Sequence, residues 1–219
     1  MTFDPEWVVD NLDLIGGVLG EHLYLTAIAV VVGLVLSLGL AVLVRARPGL
    51  YGPVIGVTGT LYAIPSLALF ALLTPITGNG TVLTAEIALV GYTLLILTRN
   101  TVEGLRAVPA EAVEAATGMG YTNRQRLVRV ELPLALPIIV AGLRIATVTT
   151  VGLVTVTALT GLGGLGYLIV NLGVDRGRFG FTAIITGIVL AVAVAVIADL
   201  LLLALERALT PWARRRRTP

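Results

Sequence analysis

Residues 23–44 form a run without a single charged side chain, and this run constrains the fold more than any other feature. A helix needs about 20 mostly apolar residues to cross a hydrocarbon core about 30 Å thick. Five segments meet or approach this requirement: 23–44, 54–76, 82–98, 134–156 and 181–205. Only 13% of the residues are charged, against about 25% in an average soluble domain. The sequence therefore predicts an all-α membrane protein with about five transmembrane helices.

The distribution of charge predicts how these spans are oriented. Residues 1–21 carry acidic side chains but no Lys or Arg, so they lack the positive start of a signal peptide. Positively charged short loops stay in the cytoplasm. With residues 1–21 outside, twelve of the fifteen arginines lie in cytoplasmic segments, and only Arg176 and Arg178 lie outside. We therefore expect a multi-pass membrane protein, with an extracytoplasmic segment 1–21, a transmembrane domain 22–205 and a cytoplasmic arginine-rich tail 206–219.

The composition excludes several kinds of chemistry. The chain has no cysteine, and therefore no disulfide, zinc–thiolate site or thiol nucleophile. All basic residues are arginine, so the lysine-containing ATP-binding loop is absent. The one histidine, His22, is predicted to be an interfacial or capping residue, and the four arginines at 214–217 are predicted to rest on anionic lipid rather than nucleic acid. We expect no catalytic residue, metal site or cofactor in this chain, and no nucleic-acid partner.

Two predicted spans each contain one charged residue, Arg144 and Asp199. At 1.5 Å of rise per residue, Arg144 lies about 15 Å and Asp199 about 12 Å from the same membrane face. Isolated charges inside a membrane are costly and usually pair or face water. We therefore expect these two side chains to pair, or to share one hydrated cavity; the alternative is that Arg144 alone extends to the lipid headgroups.

The longest polar stretch, residues 99–133, begins with the signals of a short helix. Pro109 suits the first helical position, and Glu111 falls in the first turn, where the helix dipole favours a carboxylate. Alanines favour the helix until Gly118 and Gly120 end it. The sequence therefore predicts a helix over 109–118.

A second helix start follows immediately. Thr122 can cap the new helix, and Gln125 three residues later completes a capping box. This helix is predicted to stop before Pro133. The expected result is a hairpin of two short helices joined at a glycine elbow, within residues 103–133. It either lies on the membrane surface or docks a partner protein, because small side chains on the first helix would allow close approach: Ala112, Ala115 and Ala116.

The spacing of the hairpin resembles the EAA signature of the permease subunits of type I ABC importers. The matching residues are Glu114-Ala115-Ala116, Gly120, Val130 and Leu132-Pro133. The one departure is Val130, where isoleucine is usual. In that family the loop forms a coupling helix that docks in a groove on a cytoplasmic ATPase. The resemblance implies the same fold for this chain and the same role for residues 103–133.

Four other segments look like the osmoprotectant branch of that family, whose permeases take up glycine betaine, choline, carnitine and similar quaternary amines. These segments are 64–69, 98–101, 131–137 and 161–166. Permeases of methionine importers share a similar glycine-rich segment, so methionine or another small amine is the alternative cargo. A secondary carrier working alone would have more spans and internal repeats, which the sequence does not show.

The resemblance also implies partners. A chain of 219 residues with five spans is too small to enclose a path alone. We expect a cytoplasmic ABC ATPase that binds ATP and Mg, a second permease subunit, identical or paralogous, and a separate extracytoplasmic substrate-binding protein.

Four residues are candidates for the translocation path: Tyr62, Pro65, Ser66 and Tyr92. Aromatic faces suit a trimethylammonium group, which cannot donate hydrogen bonds. A proline inside a span frees a backbone carbonyl, and such a carbonyl is tolerated where it lines a cavity.

Residues 157–173 are apolar but contain five glycines. Because glycine disfavours a long helix, we expect a turn and a short helix on the outer face; a sixth span is the alternative.

Overall fold

The computed structural model describes residues 2–174 and 179–211, and every regular element within those ranges is a helix. The arginines predicted to lie outside, Arg176 and Arg178, and the run 214–217 lie outside the described residues.

Ten α-helices follow one another along the described chain: α1 (Pro5–Asp10), α2 (Leu12–Ala46), α3 (Tyr51–Ala63), α4 (Ser66–Thr77), α5 (Val82–Arg106), α6 (Ala110–Gly118), α7 (Asn123–Arg126), α8 (Leu132–Val154), α9 (Gly166–Ile169) and α10 (Gly180–Leu209). A π-turn, Leu127–Glu131, joins α7 to α8. Helices α2, α5, α8 and α10 are long and apolar enough to cross a membrane, and α3 with α4 makes a fifth candidate if that bent pair counts as one span. The predicted all-α fold with about five spans is confirmed.

The second predicted span, 54–76, is broken rather than kinked. Helix α3 ends at Ala63, Ile64 and Pro65 have extended ψ angles of 128° and 134°, and α4 leaves at 94° to α3. Proline cannot donate the next helical hydrogen bond and disfavours helical backbone at the preceding residue. The predicted span over 54–76 is therefore two short helices nearly at right angles, not one continuous helix.

Helix α5 lies at the centre of the bundle and packs against α2, α3, α4 and α8. Close approach to α2 occurs where Gly33 faces Thr93, and close approach to α8 occurs where Gly142 faces Asn100. In both places a Cβ atom on the glycine would collide with the side chain opposite. Small residues at such crossings let membrane helices approach closely enough for van der Waals contact, which drives their association in lipid.

The segment 157–173 forms short helical turns and α9 rather than a sixth span. The N-terminal part of α2 holds it in place. The Glu21 carboxylate accepts hydrogen bonds from the N–H groups of Gly163 (3.2 Å) and Gly164 (3.0 Å). His22 Nδ1 accepts from the N–H of Leu165 (3.3 Å), directly before α9. The prediction of an interfacial or capping residue is therefore corrected: His22 is fully buried within α2 and binds the N–H of a neighbouring loop.

Candidate functional site

Helix α6 begins one residue later than the sequence predicts. Pro109 is the N-cap, with a ψ of 135°, and not the first helical residue. Its carbonyl oxygen accepts the N–H of Ala112 at 3.1 Å, so it closes the first turn from outside the helix. Glu111 lies in the first turn, as predicted from the dipole.

The elbow after α6 is a Schellman motif built on Gly120. The N–H of Gly120 bonds to the Thr117 carbonyl (3.0 Å), and the N–H of Tyr121 bonds to the Ala116 carbonyl (3.1 Å). This pair of bonds satisfies the last carbonyls of a helix and requires a left-handed residue between them. Gly120 has a φ of +81°, which glycine adopts at no steric cost.

The capping box of α7 forms as the sequence predicts. Gln125 N–H donates to Thr122 Oγ1 (3.3 Å), and Thr122 N–H donates to Gln125 Oε1 (2.9 Å). The predicted stop before Pro133 is wrong, however. Helix α7, the π-turn and α8 run on without a break, and Pro133 lies in the first turn of α8. A π-turn directly precedes the proline, and in it the N–H of Leu132 bonds to the Leu127 carbonyl five residues back.

The residues of the EAA signature do not share one surface. Glu114, Ala115 and Gly120 are exposed, whereas Ala116 is buried within the chain. The expectation that Ala116 offers a contact to a partner is therefore corrected: α6 packs on the π-turn and α7, and Ala116 lies on its inner side. Leu132 and Pro133 are half-buried.

One exposed residue of the elbow was missed by the sequence analysis. Met119, between Gly118 and Gly120, is 68% exposed. An apolar side chain flanked by two glycines was the available signal. Methionine is flexible and common on surfaces that bind other proteins.

A buried ion cluster ties the hairpin to α2. Glu131 accepts two bonds from Arg45, from Nε (2.5 Å) and Nη2 (2.6 Å), and a third from Arg126 Nε (2.9 Å). Arg126 Nη1 also donates to Thr117 Oγ1 of α6 (3.1 Å). The sequence analysis missed this cluster, because 86 residues separate Arg45 from Glu131.

The structure brings Arg144 and Asp199 together. Arg144 Nε and Nη2 donate to the two Asp199 oxygens at 2.8 and 2.9 Å, and Glu206 lies 3.6 Å from Arg144 Nη1. This two-bond geometry joins α8 to α10 and matches the planar guanidinium to the planar carboxylate.

Three of the four predicted path residues meet at the break between α3 and α4. The Tyr62 and Tyr92 rings form an edge-to-face pair with centroids 5.8 Å apart. The Tyr92 hydroxyl donates a hydrogen bond to the carbonyl oxygen of Ile64, next to Pro65. The Ile64 carbonyl at the break is therefore bonded to Tyr92 and is not open to line a path. Ser66 is half-buried, begins α4, and makes no side-chain hydrogen bond with the described residues.

Comparison with known proteins decides the family. A family model described as "Binding-protein-dependent transport system inner membrane component" matches residues 29–211. The chain belongs to this family. It is thus a membrane component of a transport system, as the hairpin spacing indicated.

Curated relatives match over nearly the whole chain. The glycine betaine/carnitine/choline transport system permease protein OpuCB of Bacillus subtilis (strain 168) is 39% identical, over 88% of this chain and 87% of its own length. The osmoprotectant import permease protein OsmW of Salmonella typhimurium is 37% identical, over 94% of this chain and 96% of its own. Among solved structures, an inward-facing form of the MetNI methionine ABC transporter superposes with a TM-score of 0.82 at 26% identity. That match covers 91% of this chain and 97% of that one.

Proposed function

We propose that this chain is the permease subunit of an ATP-driven importer of quaternary-amine osmoprotectants, of the glycine betaine, choline, carnitine and proline betaine type. The observation that carries the proposal is the similarity, over nearly the full length of both chains, to permeases whose names give glycine betaine, carnitine, choline or osmoprotectant. The cargo arrives on a separate extracytoplasmic binding protein, and ATP and Mg are bound by a partner ATPase.

The exposed part of the hairpin supports the ATPase contact. Glu114, Ala115 and Met119 are exposed at the tip of a rigid elbow, which is held by a Schellman motif on one side and a capping box on the other. A partner that pushes on this tip moves a defined unit rather than a flexible loop. The hairpin faces the cytoplasm in this proposal, and residues 1–21 lie outside.

Two copies of the permease, or one copy and a paralogue, enclose the path. The Tyr62 ring is exposed and lies beside the break between α3 and α4. It gives the chain an aromatic face near the centre of the broken span. A trimethylammonium group is attracted to such a face without any hydrogen bond.

Methionine is the second candidate cargo, because the solved structure that superposes with a TM-score of 0.82 is a methionine transporter. Uptake of radiolabelled glycine betaine, choline, carnitine and methionine should be compared in a host strain with the gene deleted and restored. The proposal predicts restored uptake of one or more quaternary amines. Restored uptake of methionine alone would favour the second candidate and contradict the first.

The coupling role of the elbow has its own test. Gly120→Val places a β-branched residue at a φ of +81°, where a side chain costs roughly 1–2 kcal/mol, so ATP-dependent uptake should fall. Gly118→Ala is the matched control, because Gly118 is an exposed helical residue with open space around it. Uptake that is equal in both variants would count against a coupling role for the hairpin.

A further inference from the structure

One carboxylate connects three helices at the hairpin end of the bundle. Glu131 lies in the π-turn before α8 and is only 5% exposed. Its two oxygens bind Arg45 in the last turn of α2 and Arg126 in α7. Arg126 reaches on to Thr117 in α6. A continuous chain of hydrogen bonds therefore runs from α6, through Glu131, to α2.

Among the described residues, Glu131 supplies the one negative charge that faces the two arginines of this cluster. The side chains of Arg45 and Arg126 are only 22% and 21% exposed, and among the described residues neither has another ion-pair partner. Removing the shared carboxylate would leave two mostly buried guanidinium groups facing each other. Loss of one member of a buried charged set is strongly unfavourable, because the remaining charges are left desolvated and unpaired. Glu131 is the residue on which the connection depends.

The ion cluster connects the hairpin to α2, a helix that the hairpin does not otherwise contact closely. Along the chain, α6 leads through α7 and the π-turn into α8. The ion cluster adds a second, non-covalent route into α2, which packs against both α5 and α8. A displacement of α6 therefore acts on two spans, on α8 through the backbone and on α2 through the ion cluster.

A nearby ion pair lacks these properties and provides a comparison. Glu103 and Arg106 lie on the same helix, α5, at 3.3 Å, and their side chains are 49% and 47% exposed. An exposed pair within one helix contributes little, and the further contact of this pair is to Tyr51 of α3, not to α2.

We propose that Glu131 is a positioning residue that transmits displacement of α6 to α2, so that ATP hydrolysis and substrate movement stay coupled. This inference rests on the proposed function. It assigns to the Arg45–Glu131–Arg126 cluster a part in transport, beyond holding the folded chain together.

The test measures uptake and ATP hydrolysis together, in the complete importer reconstituted in proteoliposomes with its own ATPase and binding protein. For Glu131→Gln, the amount of substrate moved per ATP hydrolysed should fall by roughly tenfold or more, since breaking a buried charged contact is worth at least that factor. ATP hydrolysis itself should stay within about twofold of the unaltered importer. Asp13→Asn is the matched control, because it also turns a carboxylate into an amide but at an exposed position of α2 that has no ion pair with the described residues; it should change neither quantity.

A second variant keeps the test decisive if Glu131→Gln fails to assemble. Arg45→Lys retains the positive charge but loses the two-bond fork, so the ratio of transport to hydrolysis should take an intermediate value. A proportional loss of uptake and hydrolysis in these variants would show a purely structural role and overturn the inference, as would an unchanged ratio. Absence of ATP-dependent uptake in the unaltered importer would instead refute the proposed function.

Discussion

The hydroxyl group of Tyr92 donates one hydrogen bond, and the effect of removing this bond on stability can be predicted in detail. Pro65 and the break after Ala63 leave the Ile64 carbonyl without a helical partner, and Tyr92 Oη donates to it. Tyr92 itself is 5% exposed. Tyr92→Phe removes this donor and leaves the ring, its packing and the edge-to-face contact with Tyr62 in place.

The magnitude follows from the environment of the bond. An unsatisfied carbonyl in pure hydrocarbon costs several kcal/mol, but hydrogen bonds between membrane helices contribute about 0.6 kcal/mol on average and at most about 1.7. We therefore expect a loss of about 1 kcal/mol. For a chain of this size, that corresponds to a fall of about 2–4 °C in the melting midpoint.

The measurement is the thermal unfolding of the purified permease in nanodiscs, followed by circular dichroism at a fixed heating rate. Tyr62→Phe is the matched control, because the Tyr62 hydroxyl makes no hydrogen bond with any described residue while its ring makes the same aromatic contact. The control should shift the midpoint by less than about 1 °C. Equal shifts for the two variants would refute the claim that Tyr92 stabilises the break through its hydroxyl group.

Two further predictions concern the contacts of α8. Gly142→Ala should lower the melting midpoint, because its Cβ would collide with Asn100 and overpacking costs about 1–3 kcal/mol. Gly39→Ala, at a position with nothing within 4 Å of the new Cβ, should leave the midpoint unchanged or raise it. An equal effect of the two variants would contradict the packing argument. Asp199→Asn should reduce the yield of folded protein more than the double variant Arg144→Gln/Asp199→Asn does, since the single change leaves the Arg144 charge with only its longer contact to Glu206. The yield after detergent extraction measures this, and a double variant worse than the single one would show that the pair is not the reason.

Much of the candidate site was predictable because its determinants are local. The capping box at Thr122 and Gln125 and the elbow at Gly120 each depend on residues only a few positions apart. Capping bonds and left-handed glycines are properties of short segments, so the spacing of residue types is enough to place them. Pairing of Arg144 with Asp199 was predictable for another reason: few charges lie at membrane depth, so each has few possible partners.

Other features of the site could not be read from local patterns. Arg45 is one of several arginines near the hairpin end, and nothing in the spacing selects it as the partner of Glu131. The direction of Ala116 depends on how α6 packs against the π-turn. The helix also continues through Pro133 after that same π-turn, and no residue propensity predicts a π-turn at this position. In each case the outcome is set by residues that meet only after the helices have packed.

The amino-acid sequence by itself determined that this chain crosses a membrane several times as helices and carries a two-helix hairpin, because the length of an apolar run and the identity of a cap act over a few turns of backbone. Only the tertiary structure decided that the second span turns through 94° with Tyr92 occupying the freed carbonyl. It alone decided, too, that one buried carboxylate joins the hairpin to α2. These contacts join residues far apart in the chain, and their partners are chosen by the geometry of helix packing.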